Sequence, residues 1–315
     1  MRKYVGIDLG TTTSGLAYLR SDGNPEIVPN ADGERLTPSV VFFDGHEDVK
    51  LVGSAARDGG EPERTVFRIK RYMDDPDFVV DIDGKAWTPT EISALILAKL
   101  KRECSSIIGN FEEVVITVPA NYNELARKAT VAAARIAGLK VSRLVNEPTA
   151  AAMYYAHSQG VSGRILVYDL GGGTLDITIL ETKGEGINIL TSEGARHLGG
   201  TNIDDMLLAM YTEQYREAAG AELFEDETAR LRVLDSVEDA KKMLSKLQKV
   251  TDTIGNHTNG IARIELSREV FEEAVSRLLM RTVMLVEQAL ESAGLKEGEI
   301  DHVVLVGGST RIPRV

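Results

Sequence analysis

The chain carries two aspartates, Asp8 and Asp169, each followed by Leu-Gly and a run of glycine or hydroxyl residues, in "IDLGTTTS" and "YDLGGGTLD". Consecutive N–H groups in a glycine-bearing turn can point inward together and hold an anion. Gly10, Gly171, Gly172 and Gly173 let a ligand approach the backbone closely, and Thr11, Thr12, Thr13 and Thr174 add hydroxyl donors. Asp8 and Asp169 would repel a bare phosphate, and a hydrated magnesium ion between carboxylate and phosphate removes that conflict. The chemistry these residues fit is the holding of a magnesium-bound polyphosphate. One such stretch alone would read as an ordinary hairpin. No P-loop pattern (GxxxxGK followed by Ser or Thr) occurs, and each turn joins two strands rather than a strand and a helix.

The turns need strands to carry them, and the chain supplies these twice. Apolar runs predict strands at Tyr4–Gly10 and Gly15–Arg20, and a third from Glu26 after the turn "SDGNP". Thr88, Pro89 and Glu91 supply an N-cap, a first-turn proline and a capping-box partner for a helix to Ile108, with Ile92, Leu95, Ile96 and Leu100 on its apolar face. A buried strand at Val114–Pro119, a helix through "ELARKATVAAARIAG" ending at Gly138, a strand "KVSRLV" and a helix from "NEPTAAAMYYA" follow. The second half repeats this order. "RILVYDLGGGTLDITIL" is strand, glycine turn, strand; "GINILTSEGA" is a third strand after "TKGEG"; "HVVLVGGSTRIP" at His302–Pro313 stands where "VVITVP" stood. "VGIDLGTTTSGLAYL" from Val5 aligns with "LVYDLGGGTLDITIL" from Leu166, so the turn recurs at the head of each half. The expected fold is α/β: two duplicated lobes, each a mixed β-sheet with flanking helices, facing one another across a central cleft where ligands sit at strand carboxyl ends.

The chain has 315 residues, 43% hydrophobic and 27% charged, with a net charge of −12. This is a soluble, globular composition with room for two domains. The acidity argues against a nucleic-acid partner, which needs clustered Lys and Arg. No apolar run approaches the ~20 residues of a membrane span, so no membrane partner is expected. The amino end has no signal-peptide core. The single thiol, Cys104, reads as core in a helix rather than as a nucleophile. The cytoplasm is the expected compartment.

The duplicated Asp-Leu-Gly turns resemble the actin, sugar-kinase and heat-shock ATPase superfamily. The strings "NEPTAAA", "ITVPANYNELARKAT" and "VLVGGSTRIP" are similar to the nucleotide-binding domain of the 70-kDa heat-shock chaperones, and the resemblance covers nearly the whole chain. It implies magnesium-dependent ATP and ADP binding with slow ATP hydrolysis, coupled to lobe motion. Asp8 and Asp169 would place the metal, mainly through water; Lys70, Glu147, Asp169, Thr174 and Asp176 would serve the attacking water and the γ-phosphate. By the same resemblance Gly199, Gly200 and Thr201 of "HLGGTNID" line ribose and phosphates. Glu238, Lys241, Lys242 and Ser245 of "VEDAKKMLS" face adenosine, and Gly307, Gly308, Ser309 and Arg311 of "GGSTRIP" complete the pocket. Glu238, Lys241 and Ser245 share a helix face by their spacing. Taken alone, Lys70 is one cation in a basic run, Glu147 is a carboxylate favoured by a helix N-terminus, and "VEDAKKMLS" is a solvated salt-bridge surface. Pro119 and Arg127 match the family's proline switch, although Pro119 reads equally as a strand-ending proline. The implied partners are nucleotide, a J-domain co-chaperone and a nucleotide-exchange factor, with client peptides only where a peptide-binding domain is present.

The sequence departs from the family pattern in several places. Thr13 stands where an aromatic or asparagine is usual, and Lys242 where arginine is common, which stacks on a base better than lysine. The stretch between Lys70 and Glu147 is short, so "DIDGKAW" is expected to be a trimmed hairpin. Expected boundaries are lobe I at 1–160 (core 1–38 and 112–160, inserted subdomain about 39–111) and lobe II at 161–315 (core 161–202 and about 277–315, inserted helical subdomain about 203–276). The repeat predicts a helix–strand–helix after "GGSTRIPRV" that the chain does not contain; a fragment without the peptide-binding domain is expected, the alternative being that a partner or a second copy covers the exposed sheet edge. The alternative reading is a non-catalytic actin-like filament or nucleotide-sensing scaffold protein. A sugar kinase is disfavoured by the lack of a sugar-binding constellation.

Overall fold

The computed structural model describes residues 4–45, 50–59, 61–183, 186–224, 227–256 and 260–315. Two compact units divide the chain, Met1–Ala150 and Ala151–Val315. In the first unit, β1 (Val5–Asp8) pairs antiparallel with β2 (Thr13–Leu19), which carries β3 (Pro25–Ile27) and the short β4 (Thr37–Pro38). On its other side β1 is parallel to β10 (Glu113–Val118), and β10 to β11 (Lys140–Asn146), giving the sheet order β11–β10–β1–β2–β3. Inserted between β4 and β10 are β5 (Val40–Phe43), β6 (Lys50–Val52), α1 (Ser54–Gly59), β7 (Thr65–Phe67) and the hairpin β8 (Val80–Ile82) and β9 (Lys85–Trp87), then α2 (Pro89–Ile108). The hairpin expected at "DIDGKAW" is therefore present.

Local chemistry sets these bounds. The capping box read at Thr88 forms in both directions: the Glu91 N–H donates to Thr88 Oγ1 at 3.2 Å, and the Thr88 N–H donates to the Glu91 carboxylate at 2.9 Å. Asn123 caps α3 (Glu124–Ile136). Ile92, Ile96, Leu97 and Leu100 of α2 are buried against Val5, Ile7, Val114 and Ile116 of the sheet. Cys104 lies in this core, 1% exposed, and burial pushes its thiol up to about 11. It is a core residue, as its helical setting implied.

The second unit takes the later turns of α4 (Glu147–Gln159), whose Ala152 packs on Ile165 and Val167. Its sheet runs β14 (Gly186–Arg196), β13 (Thr174–Lys183), β12 (Gly163–Leu170), β17 (His302–Val306), with β17 parallel to β12. Part of the turn "TKGEG" lies outside the described residues. Helices α5 (Gly200–Ala219), α6 (Glu227–Leu244) and α7 (Arg268–Ala293) enclose the core of this unit. The stretch read as a helical insert also holds a β-hairpin, β15 (Lys249–Asn256) and β16 (Gly260–Ser267). Its alternation of Ala262, Ile264 and Leu266 inward is a strand period that the flanking helices outweighed in the sequence.

Candidate functional site

In the first unit, Asp8 ends β1 directly opposite Thr117 of β10, and the Thr117 hydroxyl donates to Asp8 Oδ1 at 2.9 Å. The carboxylate is exposed but held. The turn that follows is braced by serines. The Gly10 N–H donates to Ser14 Oγ at 3.2 Å, the Ser39 hydroxyl donates to the Gly10 carbonyl at 2.9 Å, and the Ser39 N–H donates to the Thr12 carbonyl at 2.8 Å. A Cβ on Gly10 would lie 2.0 Å from the Thr13 carbonyl oxygen, so the tight turn requires glycine there. Thr11 and Thr12 are half-buried on this turn, and Thr13 is exposed as it enters β2.

Lys70, only 8% exposed, sits in a 3-10 turn entered through Arg68 in the left-handed region (φ 57). Its Nζ lies 2.5 Å from Glu147 Oε1 and 5.9 Å from the Tyr122 ring centroid, and the Tyr122 hydroxyl donates to the Lys70 carbonyl at 3.0 Å. Burial works against the ammonium, but Glu147, Tyr122 and Asp8 outweigh it and hold Lys70 protonated, its pKa above the ordinary lysine value. Burial, with Asp8 adding to it, pushes the Glu147 carboxyl above its ordinary range, and Lys70 offsets part of that rise. Arg127 donates to the Tyr122 carbonyl at 3.1 Å and to Asn146 Oδ1 at 2.9 Å, tying the segment after Pro119 to the residue before Glu147. Lys70 is thus a buried, paired cation and not a solvated member of a basic run.

In the second unit the glycine turn joins β12 to β13, and the Gly171 N–H closes it on the Thr174 carbonyl at 3.0 Å. Its carbonyls are claimed from one side. The Gly171 carbonyl accepts from the Gly200 N–H (3.0 Å) and the Ser309 hydroxyl (3.0 Å); the Gly172 carbonyl accepts from the N–H (2.7 Å) and hydroxyl (2.5 Å) of Thr201. In a trans peptide the carbonyl and the next N–H point opposite ways. The N–H groups of Gly172 and Gly173 therefore face away from α5, as a cradle for an anion requires.

Two carboxylates frame the turn. Asp169 and Asp176 are directly opposed in the β12–β13 register, and Asp176 is buried. Like charges so placed are destabilising by themselves, and a nearby cation reverses the sign. Gly307 follows β17 at φ +88; a Cβ there would lie 2.2 Å from the Leu170 carbonyl oxygen and 2.9 Å from Asp169 Oδ1. A Cβ on Gly199 would come within 2.9 Å of the backbone of Gly171, Gly172 and Gly173. Two glycine-only approaches with hard oxygen donors fit a phosphate–magnesium group. Among the described residues no three His, Cys, Asp or Glu cluster as a metal cage.

The remaining sequence candidates fall at the end of α6 and in the segment after β17. Lys241 Nζ is 2.6 Å from Asp204 Oδ1 and donates to the Gly200 carbonyl at 3.4 Å. Glu238 pairs with Lys242 at 3.1 Å. Ser245 lies just past α6, and its hydroxyl donates to the Lys241 carbonyl at 3.3 Å. Gly308, Ser309 and Arg311 form a 3-10 turn, with Ser309 buried and Arg311 exposed. Sequence reasoning missed Thr117, which only the β1–β10 register brings to Asp8, and Asp204. The signal for Asp204 was its place among Ile203, Leu207, Leu208 and Tyr211 on the apolar face of α5. Compared with models of known protein families, the chain matches the Hsp70 protein family over residues 4–77 and 73–315, two segments that overlap just past Lys70.

Proposed function

The chain belongs to the Hsp70 family, an ATPase family with the actin-like fold, and on that premise we propose that it binds ATP and ADP with Mg2+ and slowly hydrolyses ATP as a chaperone nucleotide-binding domain. The observation that carries this reading is the glycine turn of the second unit, whose carbonyls are taken by α5 and Ser309 so that its N–H groups face outward. Those N–H groups and the Thr174 hydroxyl are suited to phosphate oxygens. Asp169 and, in the first unit, Asp8 would place the hydrated metal, mainly through water, and Asp176 would support the attacking water; the metal, when bound, would neutralise charge on the phosphates. Lys70 keeps its proton and supplies positive charge where the transferring phosphoryl group gains negative charge. Glu147, tied to Lys70, is an acceptor for the attacking water. Lys241 and Ser245 are assigned to the adenosine side with Glu238, Lys242 and Arg311; Gly199, Gly200, Thr201, Gly307 and Gly308 are assigned to backbone approach.

The proposal extends to the family's working cycle. Nucleotide state would be relayed through Pro119 and Arg127 to a J-domain co-chaperone, an exchange factor and, through a peptide-binding domain, to clients in the cytoplasm. Lobe I and lobe II are proposed to be built as 1–38 plus 112–160 and as 161–202 plus 277–315, with inserts at 39–111 and 203–276. The test is titration calorimetry of ATP with and without Mg2+, followed by single-turnover hydrolysis. Lys70→Ala is expected to slow hydrolysis by about 10²-fold or more, the scale of a lost transition-state contact. Unchanged hydrolysis in that variant removes Lys70 from the mechanism, and no heat of Mg·ATP binding to the wild type removes the proposal.

A further inference from the structure

The ion pair between Asp204 and Lys241 joins α5 to α6, its carboxylate buried and its ammonium half-buried. Asp204 is in the second turn of α5, 3% exposed at its side chain, and Lys241 is in the last turn of α6, 13% exposed, with 2.6 Å between Oδ1 and Nζ. The neighbours of the pair on both helices are apolar: Ile203 and Leu207 on α5, Val237, Ala240 and Leu244 on α6. An apolar pair of similar volume would serve packing as well or better, because desolvating two charges is costly. The geometry offers another use. Lys241 Nζ, Ser309 Oγ and Gly172 Cα all lie within 3.6 Å of the point a Cβ on Gly200 would occupy. Gly200 is also the residue whose N–H holds the Gly171 carbonyl and whose own carbonyl accepts from Lys241. The ammonium therefore fastens the first turn of α5, and that turn fastens the glycine turn. Asp204 is the charge that keeps the ammonium there.

We infer that Asp204 is a positioning residue: acting through Lys241, it fixes the Gly199–Thr201 turn against the Gly171–Gly173 turn and so links α6 to the orientation of the phosphate cradle. The effect on nucleotide rests on the ATP-binding reading above; the effect on the turn does not. The test is amide hydrogen exchange over residues 198–204 in the nucleotide-free full chain, paired with Mg·ATP affinity by calorimetry. It compares the wild type, Asp204→Asn, Lys241→Met and the Asp204→Asn/Lys241→Met double variant. In Asp204→Asn, exchange at Gly200 and Thr201 rises by about tenfold and Mg·ATP affinity falls by about tenfold, the scale of coupling between contacting groups. Asp204→Asn has no further effect in the Lys241→Met background, because its action runs through that lysine. If Asp204→Asn fails to fold, Asp204→Leu/Lys241→Met, which leaves no uncompensated charge, folds and still shows the raised exchange.

Exchange at Gly200 and Thr201 that matches the wild type in the folded variants overturns the inference, whatever happens to affinity. Equal effects of Asp204→Asn with and without Lys241 overturn it too, since they mark a role in stability only. A wild type that binds no Mg·ATP while the exchange responds overturns the nucleotide reading and leaves the positioning of the turn supported.

Discussion

Each lobe pairs a lysine with a carboxylate, and the two pairs are buried the opposite way round. In lobe I the ammonium of Lys70 is the deeper partner, at 8% exposure, and the Glu147 carboxylate is the more open one at 18%. In lobe II the Asp204 carboxylate is the deeper partner at 3%, and Lys241 is the more open at 13%. The first arrangement presents an acceptor backed by a fixed positive charge, which suits the handling of a water molecule. The second presents a cation backed by a fixed negative charge, which suits the holding of a turn or an anion. The turns themselves are braced differently. Ser14 and Ser39 hold the first through side chains, whereas the first turn of α5 holds the second largely through backbone groups. The same sequence motif is therefore supported by local hydroxyls in one lobe and by a helix in the other.

The corresponding parallel strands differ as well. β10 lies between β1 and β11, and its Ile116 is fully buried. β17 pairs only with β12 among the described residues, and its Val303 and Leu305 remain 59% and 56% exposed while Val304 and Val306 pack with residues of α4. Ile116→Ala is expected to cost about 2–5 kcal/mol, since it empties a closed core. Leu305→Ala is expected to stay within about 0.5 kcal/mol, because the side chain already meets solvent. Urea denaturation of both variants checks the pair. A cost for Leu305 that approaches the cost for Ile116 would mean that the outer face of β17 is covered in solution.

The second contrast is in alkaline stability. Burial, with Asp252 adding to it, pushes the Tyr211 phenol of lobe II up to about 12. The folded pKa lies above the unfolded value, so the neutral phenol favours the folded state. Its contribution is fully present below pH ~10 and is lost as pH rises through ~12, on the order of a few kcal/mol. Urea melts from pH 8 to 12 should show this decline in the wild type and a smaller one in Tyr211→Phe. The same slope in both would place the lost stability elsewhere, the buried Cys104 thiol of lobe I at about 11 being the next group to test.

Most of the frame was readable in the sequence because it depends on neighbours along the chain. The capping box at Thr88, the glycine turns, the parallel strands after each helix and the order of the repeat are all short-range patterns. The pairs that brace the turn of each unit are not. Thr117 reaches Asp8 only once β1 and β10 are in register, and Lys241 reaches Asp204 only once α6 lies on α5. Asp204 also sits beside Asp205 in "NIDDMLL", where two adjacent acids look alike although one is buried and the other exposed. The α5 spacing that separates them was legible; its partner was not. The hairpin β15–β16 was missed for a related reason: its alternation is brief and lies between two long helices.

The smallest contrast lies within the lobe II site itself. Gly307 and Gly171 flank the same aspartate, and only one of them is required by geometry. Gly307 has φ +88, and a Cβ there would strike the Leu170 carbonyl oxygen, which belongs to a strand paired on both sides and cannot withdraw. Gly171 is outside the left-handed region, and its nearest neighbour would be 3.7 Å from a Cβ, an ordinary contact. Gly307→Ala should therefore cost about 1–3 kcal/mol, the scale of backbone strain at one residue, and displace Asp169. Gly171→Ala should cost no more than about 0.5 kcal/mol. Urea melts rank the two variants, and amide exchange at Leu170 reports whether the strand end has moved. Equal costs would show that Gly171 is also required by the fold. Unequal costs in the expected order would assign Gly307 to architecture and show that the backbone at Gly171 tolerates a side chain.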